Sequence, residues 1–124
     1  MKRILIVDDS RMLRLYVRQI LSSLPEVELL DAENGVAALE LALTHPPDLF
    51  LVDVNMPKMD GYTLLSRIRT QPSLCATPAI VATTEARPQD RERAYAAGAN
   101  AHVQKPFYPE HFLSLVSLLL GTTS

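Results

Sequence analysis

Short apolar runs and stretches of helical period alternate from one end of the chain to the other. Ile4, Leu5, Ile6 and Val7 form an unbroken apolar run rich in β-branched residues, the pattern of a strand covered on both faces. After Asp8 and Asp9 the period changes. Ser10 is a helix cap, Leu13, Tyr16, Val17, Ile20, Leu21 and Leu24 recur at helical spacing, and Pro25 ends the pattern. Val27 to Ala32 predicts a second strand, and "ENGVAALELAL" a second helix with Val36, Leu39, Ala42 and Leu43 on its apolar face, broken at His45-Pro46-Pro47. Leu49 to Val52 is a third strand, and Gly61 opens a short helix through Leu64, Leu65 and Ile68 that closes near "TQPS". Ala79 to Ala82 is a fourth strand. Pro88 suits the first position of a helix running to Ala97, with Gly98 as its terminator. A weak fifth strand spans Ala101 to Gln104, and Pro109 starts a last helix reaching about Leu120.

Strands alternating with helices through short loops predict an α/β domain, with helices on both faces of a parallel sheet. Open sheets of this kind bind ligands beyond the carboxyl ends of their strands, where strand order reverses. The residues at those ends are Asp8 and Asp9 after the first strand, Asp53 after the third, Thr83 and Thr84 after the fourth, and Lys105 after the fifth.

Composition narrows the classes. The chain has 124 residues, 48% hydrophobic and 21% charged, which suits one globular domain spanning 1–124. A domain of this size buries roughly 65–70% of its unfolded surface. Twelve Lys and Arg against 14 Asp and Glu give a net charge of −2, without the basic excess of a nucleic-acid or membrane surface. No apolar run approaches the ~20 residues of a membrane helix, and "MKRILIVDDS" stops at Asp8, too short for a signal peptide. With Cys75 the sole cysteine and a reducing compartment the simplest setting, the expected location is cytoplasmic. His45 and His111 are expected at the surface.

If the strand ends share one edge, three carboxylates crowd together there. Two unit charges ~4 Å apart repel by about 4 kcal/mol at an effective dielectric near 20. A hard divalent cation such as Mg²⁺ offsets that repulsion, since it takes oxygen ligands and accepts a phosphate oxygen, and Lys105 supplies a fixed positive charge. A carboxylate flanked by Mg²⁺, a lysine and a hydroxyl suits phosphoryl transfer, in which positioning and charge neutralisation carry most of the catalysis. Neither G-x-x-x-x-G-K-[ST] nor G-x-G-x-x-G occurs, so no nucleotide phosphate loop is present. Asp53 is then the nucleophile by position, forming an acyl phosphate.

Four segments carry a family resemblance: "ILIVDDS", "LVDVNMPKMDG", "VATTE" and "VQKPF". In that order and spacing, over essentially residues 2 to 120, the chain resembles the receiver domains of two-component response regulators, and among them the single-domain chemotaxis regulators. The resemblance implies a flavodoxin-like (βα)5 fold, an open parallel five-stranded sheet of order 2-1-3-4-5. It implies that Asp53 takes a phosphoryl group from a phosphohistidine on a sensor histidine kinase or a histidine phosphotransfer protein. It further implies that Asp9, Asp53 and the backbone carbonyl of Asn55 ligate Mg²⁺, that Asp8 reaches the metal through water, that Lys105 pairs with the phosphoryl group, and that Thr83 moves in to hydrogen-bond it. Met56-Pro57 and Asp60-Gly61 match the family's loop, where Pro and Gly are expected to shape the turn carrying the Asn55 carbonyl. Asn55 and Glu85 match the positions that tune loss of the phosphoryl group, which implies a short-lived signal.

Two positions depart from the family's pattern. His102 stands three residues before the lysine, where the family often has a Tyr or Phe whose ring moves between outward and inward positions; a histidine is smaller, polar and titratable near neutrality. Thr84 replaces the usual Ala or Gly and narrows access to Asp53. The resemblance implies a switch without enzymatic turnover beyond its own phosphorylation and dephosphorylation. Its output would pass through the fourth helix, fifth strand and fifth helix to a downstream protein, or to a second copy of the chain through the apolar last helix. Two other readings stand beside it. One is a Mg²⁺-dependent phosphatase turning over through an aspartyl phosphate, although its D-x-D motif and cap domain are missing; the other is a receiver-like interaction module with a vestigial acidic site.

Overall fold

The computed structural model describes residues 1–56, 58–84 and 87–121. Ten elements alternate along the chain: β1 (Lys2–Val7), α1 (Arg11–Leu21), β2 (Val27–Ala32), α2 (Gly35–Thr44), β3 (Leu49–Asp53), α3 (Gly61–Thr70), β4 (Ala79–Thr83), α4 (Pro88–Ala97), β5 (Ala101–Gln104) and α5 (Pro109–Leu120). The strands form one parallel sheet in the order β2-β1-β3-β4-β5. This is the flavodoxin-like order expected from the resemblance.

The unbroken apolar runs become central strands because helices cover both faces. Every residue of β3 and β4 is buried. Alternation along each strand feeds two separate cores. Leu5, Val7, Phe50, Val52, Ala79 and Val81 pack on one face with residues of α2, α3 and α4, while Ile4, Ile6, Leu49, Leu51, Ile80 and Ala82 pack on the other with α1 and α5. A fully buried aliphatic or aromatic side chain contributes about 1.5–3 kcal/mol by leaving water. Because β1, β3 and β4 carry such residues on both faces, their pairing register and their common end are firmly held.

Local signals place the helix starts. The side chains of Ser10, Asn34 and Asp60 accept the N–H groups of Leu13, Ala37 and Thr63. Proline opens α4 and α5, and both end on a left-handed glycine, Gly98 at φ 111° and Gly121 at φ 73°.

Packing differs from the periodicity in several places. The first helix stops at Leu21: the Ser22 N–H makes its last helical bond, to the Arg18 carbonyl, and the Leu24 N–H then closes a turn onto the Leu21 carbonyl before Pro25. Tyr16 lies exposed on α1, and Val36 and Leu43 on α2; α2 buries Gly35, Ala38 and Ala42 instead, since small residues let it sit close to the sheet. In α5 the buried stripe is Phe112, Val116 and Leu120, with Leu113, Leu115 and Leu119 at its margins and Leu118 75% exposed. Most of its apolar excess is thus absorbed by the core.

Candidate functional site

The parallel register brings the carboxyl ends of the strands to one edge. Val7 lies beside Ala32 and Val52, Asp53 beside Ala82, and Thr83 beside Gln104. Strand order reverses between β1 and β3, so Asp8, Asp9 and Asp53 converge at the crevice where such sheets bind ligands. A carboxylate oxygen from each can be chosen such that all three lie within 4.8 Å of one another.

These carboxylates are not equivalent. Asp53 is 5% exposed and Asp8 6%, whereas Asp9 opens to solvent. Lys105 inserts its ammonium between the two buried ones, 2.9 Å from Asp53 Oδ1 and 3.0 Å from Asp8 Oδ2. Its own backbone N–H donates to the Thr83 carbonyl at 2.8 Å, which holds the start of the β5–α5 loop against β4, and a cis peptide joins it to Pro106. Asp8 Oδ1 also accepts the Ser10 N–H at 2.9 Å. Asp8 is therefore occupied by protein donors, while Asp9 stays open at the mouth.

Burial dominates the electrostatics. It pushes the Asp53 carboxyl above the ordinary carboxylate range; the Lys105 hydrogen bond works against this, the Asp8 charge adds to it, and the Asn55 N–H bond opposes it without reversing the net rise. For Lys105, burial works downward, but its hydrogen bonds to Asp53 and then Asp8 hold the ammonium above its usual value. The pocket thus pairs a desolvated carboxylate with a firmly protonated lysine. The remaining negative charge is what a divalent cation with oxygen ligands would offset, and the donor set fits one.

Gly61 has a different reason to be glycine than a turn angle. It opens α3, and a Cβ there would lie 2.4 Å from the Asp53 carbonyl oxygen and 3.0 Å from Val54 Cα. Asp60 caps the helix, and the Gly61 N–H donates to the Val54 carbonyl, so the loop folds back tightly behind Asp53. Met56 packs on the core, and Pro57 lies outside the described residues.

Of the other expected site residues, Thr83 is buried at the end of β4 and Thr84 is exposed beyond it. Glu85 lies outside the described residues. Asn55 is exposed, and its backbone N–H reaches Asp53. His102 pairs in register with Val81 on β5 and is half-buried; its Nε2 is buried and has no hydrogen-bond partner among the described residues. Burial, then the positive charge of Arg91, lowers its imidazole pKa, with Asp90 opposing.

Nothing in the sequence reading singles out Arg14, yet its guanidinium donates to the Asp8 carbonyl and pairs with Asp31 at 3.0 Å. The available signal was spacing. Arg14 and Arg18, one turn apart on α1, both meet Asp31 near the end of β2.

An open parallel sheet whose switch point carries three carboxylates and a lysine defines a class of protein: an α/β domain with a charged pocket suited to a divalent cation and a phosphoryl group. The chain belongs to the response regulator receiver family, whose family model, described as "Response regulator receiver domain", matches residues 4–117. It is 34% identical to the chemotaxis protein CheY1 of Helicobacter pylori over 121 residues, 97% of this chain and 98% of the relative. The structure superposes on Vibrio cholerae CheY4 with a TM-score of 0.89 at 34% identity, covering 96% and 98% of the two chains. It also resembles the Mn²⁺-bound form of the response regulator Rcp1, with a TM-score of 0.82 at 28% identity, covering 100% and 98%.

The chain is therefore a phosphorylation-controlled switch of two-component signalling, and not a conventional enzyme. Its acidic triad is able to bind a divalent metal, and a histidine kinase is the partner its class implies. Among the described residues, no helix is long and apolar enough to cross a membrane.

Proposed function

We propose that Asp53 is the phosphoacceptor, taking its phosphoryl group from a phosphohistidine of a sensor histidine kinase or histidine phosphotransfer protein. The observation that carries this is the Lys105 ammonium held 2.9 Å from the Asp53 carboxylate inside a buried acidic pocket. In the transfer, an Asp53 carboxylate oxygen forms a bond to phosphorus, the bond from phosphorus to the imidazole nitrogen breaks, and the electron pair leaves with the imidazole. The product is an acyl phosphate. Lys105 stays protonated and moves from carboxylate to phosphoryl oxygens as negative charge arrives. Thr83, buried at the end of the neighbouring strand, would supply the hydroxyl that meets the new group.

Asp9, Asp53 and the Asn55 carbonyl would hold Mg²⁺, with Asp8, already engaged by Lys105, contributing through water; bound there, the cation neutralises charge on the transferring phosphoryl group. The Mn²⁺-bound form of the related Rcp1 supports a divalent cation in this pocket. Phosphorylation adds about 1.5–2 negative charges and shifts a conformational equilibrium read by a downstream protein at α4, β5 and α5. Residues 1–124 act as one receiver domain, working in the cytoplasm, in keeping with the lone exposed Cys75. A vestigial site would have lost members of the set, whereas here Asp8, Asp9, Asp53 and Lys105 converge.

The test is Asp53→Asn with acetyl phosphate and Mg²⁺. Wild type acquires a hydroxylamine-sensitive acyl phosphate and the variant acquires none; undiminished labelling of the variant refutes the assignment.

A further inference from the structure

Asp9 stands apart from its two acidic neighbours. Asp8 and Asp53 are steered by Lys105, and Asp8 also by the Ser10 N–H. The Asp9 carboxylate has no hydrogen bond among the described residues, so its direction is set through the backbone. The deciding unit is the peptide that joins Asp8 to Asp9.

Its carbonyl, that of Asp8, accepts from the Arg14 guanidinium. The peptide before it is tied to the sheet, where the Asp8 N–H donates to the Ala32 carbonyl of β2 at 3.1 Å. Arg14 has little freedom to move away. Its side chain is only 13% exposed, and its Nε is committed to Asp31 Oδ2 at 3.0 Å. Its backbone N–H makes the first helical bond of α1, to the Ser10 carbonyl. One rigid planar fork therefore links the end of β2, the first turn of α1 and the peptide between the two acidic residues.

We infer that Arg14 is a positioning residue for the metal pocket: by holding the Asp8 carbonyl against the Asp31 anchor it orients the Asp8–Asp9 peptide and keeps the Asp9 carboxylate aimed at the cation. This rests on the reading of the triad as a divalent-cation site. Arg18 is an internal comparison, since it also bonds Asp31, together with the Leu29 carbonyl, but leaves Asp8 untouched.

The two accounts of Arg14 predict opposite signs. As a nearby positive charge it repels a cation, so removing it would tighten Mg²⁺ binding. As a positioning group its loss weakens binding, because partners that orient metal ligands are worth about 10–100-fold in affinity. The experiment is a Mg²⁺ titration of the intact chain, followed by backbone amide shifts at the strand ends, for wild type, Arg14→Gln, Arg14→Lys and Arg18→Gln. The expected result is about tenfold weaker binding in Arg14→Gln, weakening in the same direction in Arg14→Lys, which keeps the charge without the fork, and wild-type binding in Arg18→Gln. Unchanged or tighter binding in Arg14→Gln overturns the inference, as does equal weakening in Arg18→Gln. If Arg14→Gln does not fold, wild-type affinity in Arg14→Lys overturns it. A wild-type chain that binds no Mg²⁺ defeats instead the cation reading beneath it, and the inference with it.

Discussion

The acidic pocket and the β5 edge are built from the same sheet, but to different standards. β3 and β4 are buried along their whole length and deliver Asp53 and Thr83, and the buried Asp8 carboxylate and Lys105 ammonium both have partners. β5 is a four-residue edge strand with no buried residue, and it carries His102 with a buried nitrogen lacking a described partner. Where charge has to be held at fixed distances, the fold supplies central strands. At the edge the packing is thinner and a buried polar atom has no partner among the described residues, as expected of the less stable part of a structure.

The largest effect should come from taking away the pocket's cation. Lys105→Ala leaves Asp8 and Asp53 facing each other without it, and should slow phosphoryl uptake from acetyl phosphate on the order of 10²–10³-fold. A rate within threefold of wild type would show that the pocket is no more finely set than the edge. Next is Gly61→Ala. With only 2.4 Å between its new Cβ and the Asp53 carbonyl oxygen, the backbone has to shift, at a cost of about 1–3 kcal/mol in a urea melt. Slower labelling should accompany that loss, because the displaced backbone is that of the phosphoacceptor itself.

The smallest effect belongs to β5. His102→Phe removes the buried nitrogen that has no partner among the described residues and should be stabilising by about 1 kcal/mol at neutral pH. The sign with pH follows from the lowered imidazole pKa. A histidine that resists protonation when folded contributes stability above its unfolded value of about 6.5 and loses it as pH falls through the lower folded value. Burial and Arg91 set this direction, against Asp90. Wild type should therefore lose stability relative to His102→Phe as pH is lowered from about 6.5 toward 5, measured by thermal melts across buffers. Parallel pH curves would mean that the folded edge does not hold the imidazole away from water.

The difference between the two regions also explains what the sequence made legible. Buried strands write themselves as apolar runs, so β1, β3 and β4 were evident, as was the alignment of Asp8, Asp9, Asp53 and Lys105 at strand ends. Pro88, Gly98 and Pro109 marked helix limits by local backbone chemistry. Side-chain facing on the helices was less legible. Val36 and Leu43 turned outward and Ala38 inward, because the distance between α2 and the sheet, not hydrophobicity, selected the small residue. Glycine's role at position 61 was legible as a special backbone site, but a close approach to Asp53 can be seen only once the loop is folded back.

The sequence by itself determined the order of strands and helices, the strand-end chemistry and the family, since each rests on local periodicity, local caps or residue identity at fixed spacing. Only the tertiary structure decided that Lys105 stands between Asp8 and Asp53, that Asp9 alone of the three acidic residues opens to solvent, and that Arg14 reaches past its own helix to the Asp8 carbonyl. The physical reason is that each depends on how the elements pack: Lys105 and Asp8 are 97 positions apart in the chain, and Arg14, though near Asp8 in sequence, is aimed by its pairing with Asp31 on β2.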